Sequence, residues 1–382
     1  MKSQHRKVLL VLFALTSLNL LNFNNTIAEN HPFQKIALII DSTEFYDVSF
    51  TNDIIKGFNS VNQTYSIDYE LFQLENYANI AHDPYNAIYY HNNTATNHTE
   101  LVKSIIETQE YDLIVLVGYE LRRGSLDYSM YPELNFLYYD LSGELPSDLK
   151  KTDPIPQNLL IVNFRENQLG YIAGALTTAI KTDLPSKITM VGTFRDDPRT
   201  KQLIAGFQSA VFRNASDTQM FISYINDFAN DSIAKTIANN IKDGDYGLIF
   251  TALQNTNTQG ILETFSNSSV ISVDINRQQS ILKNNTKAIL HLFEEFNQSS
   301  FFPGTYTFGI EDDVFYPSDW GNIDIVNKTM VNIYQDIVEN KVNIPTDIVI
   351  ASNTSGFEYI ITLVAIFSIL MFIKQINKRK KV

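Results

Sequence analysis

The stretch "DVSF", residues 47–50, brings a carboxylate, a hydroxyl and an aromatic ring within four positions through Asp47, Ser49 and Phe50. Such a set suits a ligand that has both a flat face and hydroxyl groups: the ring stacks and the oxygens hydrogen-bond. The same residues also read as local structure, with Asp47 or Ser49 capping a helix while Phe50 packs beneath it. Both readings follow from position. The apolar run "KIALIID" (35–41) comes before, and apolar residues at helical spacing come after, so the stretch is a turn from the carboxyl end of a strand into a helix. In open α/β sheets ligands gather at such turns, because loops converge there and helix N-termini face the crevice.

Catalysis finds little support. The chain has no cysteine, which excludes thiolate nucleophiles, thiolate metal sites, disulfides and a lipid-bearing N-terminal cysteine. It contains neither a Gly-x-Ser-x-Gly elbow nor a His-Glu-x-x-His helix. His91 and His98 in "HNNTATNHTE" read as a solvated loop rather than a metal site, and Asp312 and Asp313 as a solvated turn. The expectation is a binding protein, not an enzyme, with no cofactor and no metal. A net charge of −13 argues against nucleic acid as partner and leaves a small molecule compatible.

The two ends place the chain at a membrane. Residues 1–28 have a basic start (Lys2, Arg6, Lys7), an apolar run and small residues before Glu29, the layout of a secretory signal peptide cut near Ala28; an uncut N-terminal anchor is the alternative. Residues 357–373 form an apolar segment of about 17 residues, the short end of what crosses a bilayer. Lys374, Lys378, Arg379, Lys380 and Lys381 follow it, so residues 374–382 are expected in the cytoplasm and the intervening ectodomain outside the cell. Asn-x-Ser/Thr triplets along the ectodomain, such as those at Asn62, Asn214 and Asn327, suit an external surface.

The groups must be positioned by an alternating framework. "SIDYELFQL" (66–74), "DLIVLVG" (112–118), "NFLYYDL" (135–141), "LLIVNF" (159–164), "KITMVGTF" (187–194), "MFISYI" (220–225), "GLIFTA" (247–252) and "VISVDI" (270–275) read as strands. Amphipathic patterns such as "ELVKSIIETQ", "QLGYIAGALTTAI", "KQLIAGFQSAVF" and "SIAKTIANNIKDG" lie between most of them. Continuous apolar strands joined by crossover helices imply parallel sheets covered on both faces. Residues 31–350 are too long for one ordinary core and fit two lobes. The polar residues 142–158 break the rhythm, so the expected division is 33–150 with 277–310 returning to it, and 151–276 with 311–350 returning to it.

Taken in order, "DVSFTNDIIKGF", "YDLIVLVGY", "VNFRENQLGYIAGALT", "AGFQSAV", "ISVDINRQ", "GTYTFGIEDDVFYP" and "IVENKVNIPTD" resemble the basic membrane protein (Bmp) family, nucleoside-binding lipoproteins that serve ABC importers. The resemblance implies a two-lobed type I periplasmic-binding-protein fold, each lobe a parallel sheet flanked by helices, with permease and ATPase subunits as partners and a nucleoside, a purine nucleoside favoured, as ligand. It implies a base held between two aromatic rings, Phe50 and Phe228 in "YINDFAND", with carboxylates on the ribose hydroxyls. Asp47, Ser49 and Phe50 match the family's first motif, Asp140 an acid after a strand, Asp274 an acid after a later strand, and Lys287 falls near a family lysine. Val48, Thr51, Asn52, Leu141 and Asn276 depart from the pattern, and "LQNTNTQ" (253–259) replaces a glycine-rich turn. The alternative is a ligand-sensing ectodomain of the same fold that binds a sugar or amino acid and signals through a partner.

Overall fold

The computed structural model describes residues 31–41, 48–75, 88–91, 95–108, 110–118, 121, 126–141, 149, 153–181, 184–226, 231–244, 246–253, 255–265, 269–275 and 277–348. The signal segment and the span expected at 357–373 lie outside these residues. Among the described residues no helix is long and apolar enough to cross a membrane.

The first sheet is built from β1 (Lys35–Asp41), β2 (Asp68–Glu75), β3 (Ile88–His91), β4 (Leu113–Val117), β5 (Asn135–Tyr139), β6 (Leu159–Phe164) and β12 (Gly304–Phe308), in the order β12-β6-β5-β4-β1-β2-β3. All its pairings are parallel. The second sheet contains β7 (Lys187–Gly192), β8 (Gln219–Tyr224), β9 (Leu248–Ala252), β10 (Val270–Val273), β11 (Ser280–Lys283) and β13 (Phe315–Pro317), in the order β13-β11-β10-β9-β7-β8. Only β13 runs antiparallel. The residues of β4, β6 and β9 are buried throughout, as strands covered on both faces require.

Eight helices are described: α1 (Val48–Tyr65), α2 (Ala95–Thr108), α3 (Glu166–Ile180), α4 (Pro198–Asn214), α5 (Asp231–Asp243), α6 (Asn255–Leu262), α7 (Asn285–Ser299) and α8 (Ile323–Val338). On the first sheet, Val102 and Ile105 of α2 pack with Ile39, Phe72, Ile114 and Phe136. On the second, Ala234, Ala238 and Ile241 of α5 pack with Val191, Ile249 and Val270. Phe207 of α4 stacks on Phe250 of β9 at 4.2 Å between centroids.

The "FRENQLGYIAG" and "AGFQSAV" stretches meet where α3 crosses α4. A Cβ on Gly170 would stand 2.1 Å from the Leu203 carbonyl oxygen, and one on Gly206 would stand 2.0 Å from that of Asn167. Each glycine lets the other helix's backbone come closer than any side chain permits. Those glycines therefore serve packing rather than a ligand.

The chain passes between the sheets three times: from β6 into α3 at Arg165, from β11 into α7 at Asn284, and from β12 to β13 through residues 309–314. This corrects the expected division, because β6 belongs to the first lobe and 277–283 to the second. β5 and β6, on either side of the polar residues 142–158, pair in the same sheet. Asn158 holds the end of that polar stretch to the first lobe, its Nδ2 donating to the carbonyls of Tyr128 (3.1 Å), Tyr131 (2.9 Å) and Leu134 (3.0 Å). The crossings are bonded together. Arg165 N donates to Phe308 O at 2.9 Å and Asn284 N to Val314 O at 2.7 Å. Ile310 N donates to Gln168 Oε1 at 2.8 Å, while Arg165 pairs with Glu311 and Lys287 with Asp313.

Candidate functional site

Asp140 follows β5 in the first sheet and Asp274 follows β10 in the second. Both adopt left-handed backbone conformations, with φ of 60° and 56°. Aspartate tolerates this region better than most residues, and the sharp turn ends each strand without losing its ladder. Asp140 N still donates to Val162 O at 2.9 Å, and Asp274 N to Ile281 O at 2.8 Å. The two acids stand at carboxyl ends of parallel strands, where open α/β sheets place their ligands.

Between them sits Lys283, the last residue of β11. Its Nζ lies 2.9 Å from Asp140 Oδ2, 3.2 Å from Asp274 Oδ2 and 2.5 Å from Glu166 Oε1. It also stands 4.8 Å from the centroid of the Phe164 ring, a cation–π contact. Arg199 of α4 completes the cluster, pairing with Asp274 and bringing Nε to 3.6 Å from Glu166 Oε1. Side-chain exposure is 0% for Glu166, 1% for Lys283, 5% for Asp140 and 8% for Asp274.

Short elements need fixing to hold such a cluster. Trp320 Nε1 donates to Ser280 O at 3.0 Å, anchoring β11. Tyr139 donates its hydroxyl to Asn285 Oδ1 at 3.1 Å, joining the end of β5 to the second crossing. Asp53, from the "DVSFTNDIIKGF" motif, accepts from Asn285 N at 2.7 Å and from Thr286 Oγ1 at 2.9 Å, which ties α1 to the start of α7.

Among the described residues three carboxylates face two cations. Glu166 is pushed up to about 7: burial raises it most, Lys283 and Arg199 pull against this, and Asp140 and Asp274 add to the rise. Burial alone would lower Lys283, but Asp140, Asp274 and Glu166 outweigh it and hold the ammonium above its ordinary range. Among the described residues Asp140 Oδ1 and Glu166 Oε2 are buried acceptors that receive no hydrogen bond. Unmet buried acceptors are costly, so these atoms favour a hydrogen-bond donor entering the cluster.

The residues expected from the sequence divide accordingly. Asp140 and Asp274 are brought together by one ammonium. Ser49 and Phe50 lie in the first turn of α1, with Phe50 half-buried. Asp47 and Phe228 lie outside the described residues. Lys287 is not in the cluster: it lies in the first turn of α7 and pairs on the surface with Asp313, the two side chains 44% and 85% exposed. The buried lysine is Lys283, four residues earlier in the same "KNNTKAIL" stretch. Lys283, Glu166 and Arg199 were missed. A signal for Glu166 was present, since it belongs to "FRENQLGYIAG", but an acid in a helix's first turn reads as a partner of the helix dipole.

Two interlinked, mostly parallel sheets whose strand ends face a charged cluster define a two-lobed α/β architecture. An ABC transporter solute-binding protein from Aeropyrum pernix K1 shares it, with a TM-score of 0.59 at 15% identity, covering 82% of this chain and 94% of that one. Another from Conexibacter woesei DSM 14684 gives 0.59 at 12%, covering 82% and 99%. A transcriptional activator of the comK gene from Bacillus halodurans gives 0.58 at 13%, covering 82% and 99%, so the fold by itself does not separate transport from regulation. No curated protein sequence matches the chain. The family model of PnrA-like ABC transporter substrate-binding proteins (Bmp) matches residues 33–345, and the chain belongs to that family.

Proposed function

We propose that this protein captures a nucleoside, a purine nucleoside favoured, between its lobes and delivers it to the permease of an ABC importer driven by separate ATPase subunits. The observation that carries the reading is the pairing of Asp140, from the first lobe, with Asp274, from the second, across Lys283. Two carboxylates at facing strand ends suit the vicinal hydroxyls of a ribose, because hydrogen bonds to ionised acceptors are worth roughly 1.5–3 kcal/mol. Phe50 supplies one face of the base site, with Ser49 and Asp47 beside it and Phe228 as the second ring. Lys287 lies outside the cluster, paired with Asp313 at the surface. A ligand that touches both lobes favours the closed arrangement, and bending at the three crossings provides the closure.

The membrane placement belongs to the same reading: a cleaved signal at 1–28, an external binding region, a span at 357–373 and a basic cytoplasmic tail. Protease added to intact cells should release most of the binding region, whereas a protected fragment covering both lobes would overturn that topology. Calorimetry of the full chain against purine and pyrimidine nucleosides, with ribose and amino acids as controls, tests the ligand class. Saturable binding of a purine nucleoside is expected, and binding of a sugar or amino acid with no response to any nucleoside would overturn the assignment.

A further inference from the structure

The charge count of the cluster is unequal. Among the described residues Asp140, Glu166 and Asp274 face Lys283 and Arg199, so full ionisation of these five leaves one excess negative charge in a buried place. The members also come from different parts of the fold. Asp140 belongs to the first lobe, Asp274 and Arg199 to the second, and Glu166 and Lys283 flank two of the crossings between them. Glu166 has a fully buried side chain, and its Oε2 receives no hydrogen bond among the described residues.

We propose that Glu166 is a positioning residue for ligand capture: it holds the Lys283 ammonium between Asp140 and Asp274, and it takes a proton from solvent when the lobes close. The inference rests on the ligand-capture reading above. Parting the lobes draws Asp140 away from Asp274 and admits water to the carboxylates, which then tolerate an excess negative charge. Closing them removes that water, and an unpaired charge in a poorly hydrated interior is costly. A proton arriving at Glu166 Oε2 leaves Asp140 and Asp274 balanced by Lys283 and Arg199. Among the described residues these four are the charged groups that face Glu166, and the elevated proton affinity that burial gives it agrees with this sequence. Closure and proton uptake are therefore linked, and ligand affinity rises as pH falls.

The test is calorimetry of the full chain with adenosine, guanosine and inosine in buffers of different ionisation heat. The wild type should take up a proton on binding, and its Kd should fall about five- to tenfold from about pH 8 to about pH 6. Glu166→Gln should lose both effects and should bind at about pH 8 nearly as tightly as the wild type does at about pH 6. A purely structural Glu166 would instead give weaker binding at every pH. A wild-type affinity that does not change with pH, or a variant that keeps the wild-type slope, overturns the proposal.

Small-angle scattering without ligand separates this inference from the nucleoside reading. If no nucleoside binds, compaction of the wild type at lower pH that Glu166→Gln lacks still supports the proton link, and equal behaviour overturns it. Should Glu166→Gln fail to fold, infrared titration of the wild type decides the matter. A buried protonated carboxyl that ionises near neutral pH supports the proposal, and its absence overturns it.

Discussion

Asp140 and Asp274, on different sheets, share one ammonium, with oxygens 2.9 and 3.2 Å from Lys283 Nζ. A lysine at the end of a four-residue strand thus holds the two lobes to a common point, beside the crossings about which they would move. Buried ion pairs seldom add net stability over apolar packing, but breaking one by removing a single partner is costly.

Lys283→Met removes that point and leaves Asp140, Asp274 and Glu166 crowded, with Arg199 the one cation left to balance them among the described residues. Denaturant unfolding near neutral pH should show a loss of about 3–5 kcal/mol, with part recovered as the carboxylates protonate in acid. Lys287→Ala, which breaks only a half-exposed surface pair, should change stability by about 1 kcal/mol or less. Equal effects of the two substitutions would mean that the cluster does not organise the hinge.

Glu166 gives the stability a definite pH sign. Its proton affinity is raised from 4.5 to about 7 in the folded chain, so the folded state holds a proton that the unfolded state has lost across that interval. The contribution is fully present below the lower value and is lost as pH rises through the higher one. Unfolding free energy measured relative to Glu166→Gln should therefore decline as pH rises through this window. A relative stability that increases there would contradict the burial of an acid short of counter-charge.

The α3–α4 crossing makes a packing claim. Gly170→Ala and Gly206→Ala should each destabilise the protein by about 1–3 kcal/mol or more, because the added methyl meets backbone carbonyl oxygen rather than a side chain that can turn aside. Gly57→Ala meets chiefly the flexible end of Ile289, at 2.7 Å from Cδ1, and should cost less. Thermal unfolding of the three variants orders them.

The parallel sheets were legible wherever a continuous apolar run marks a strand buried on both faces, as in "DLIVLVG", "LLIVNF" and "GLIFTA". β3, β11, β12 and β13 were not: β3, β11 and β13 have only three or four residues, and β12 alternates half-buried and exposed positions instead of forming an apolar run. The first crossing was misplaced because a polar stretch looks like a boundary, whereas Asn158 binds its end back to the first lobe. Asp140 and Asp274 stood out only through the family resemblance, since an acid that closes an apolar run otherwise reads as a turn or cap residue. Lys283 did not, because a lone lysine after "SIL" has no signal until Trp320 and the facing carboxylates fix it in three dimensions.

Whether Asp140 and Asp274 hold a sugar is tested most directly by calorimetry of Asp140→Asn and Asp274→Asn in the full chain, with a purine nucleoside and its free base compared on each and unfolding curves as a control. Loss of a charge-assisted hydrogen bond worth roughly 1.5–3 kcal/mol should weaken the nucleoside about ten- to a hundredfold while leaving the free base nearly unchanged. Phe50→Ala should weaken both ligands alike. If the two acid variants lose base and nucleoside equally while remaining folded, or keep full nucleoside affinity, the carboxylates do not grip the ribose and the proposed site is wrong.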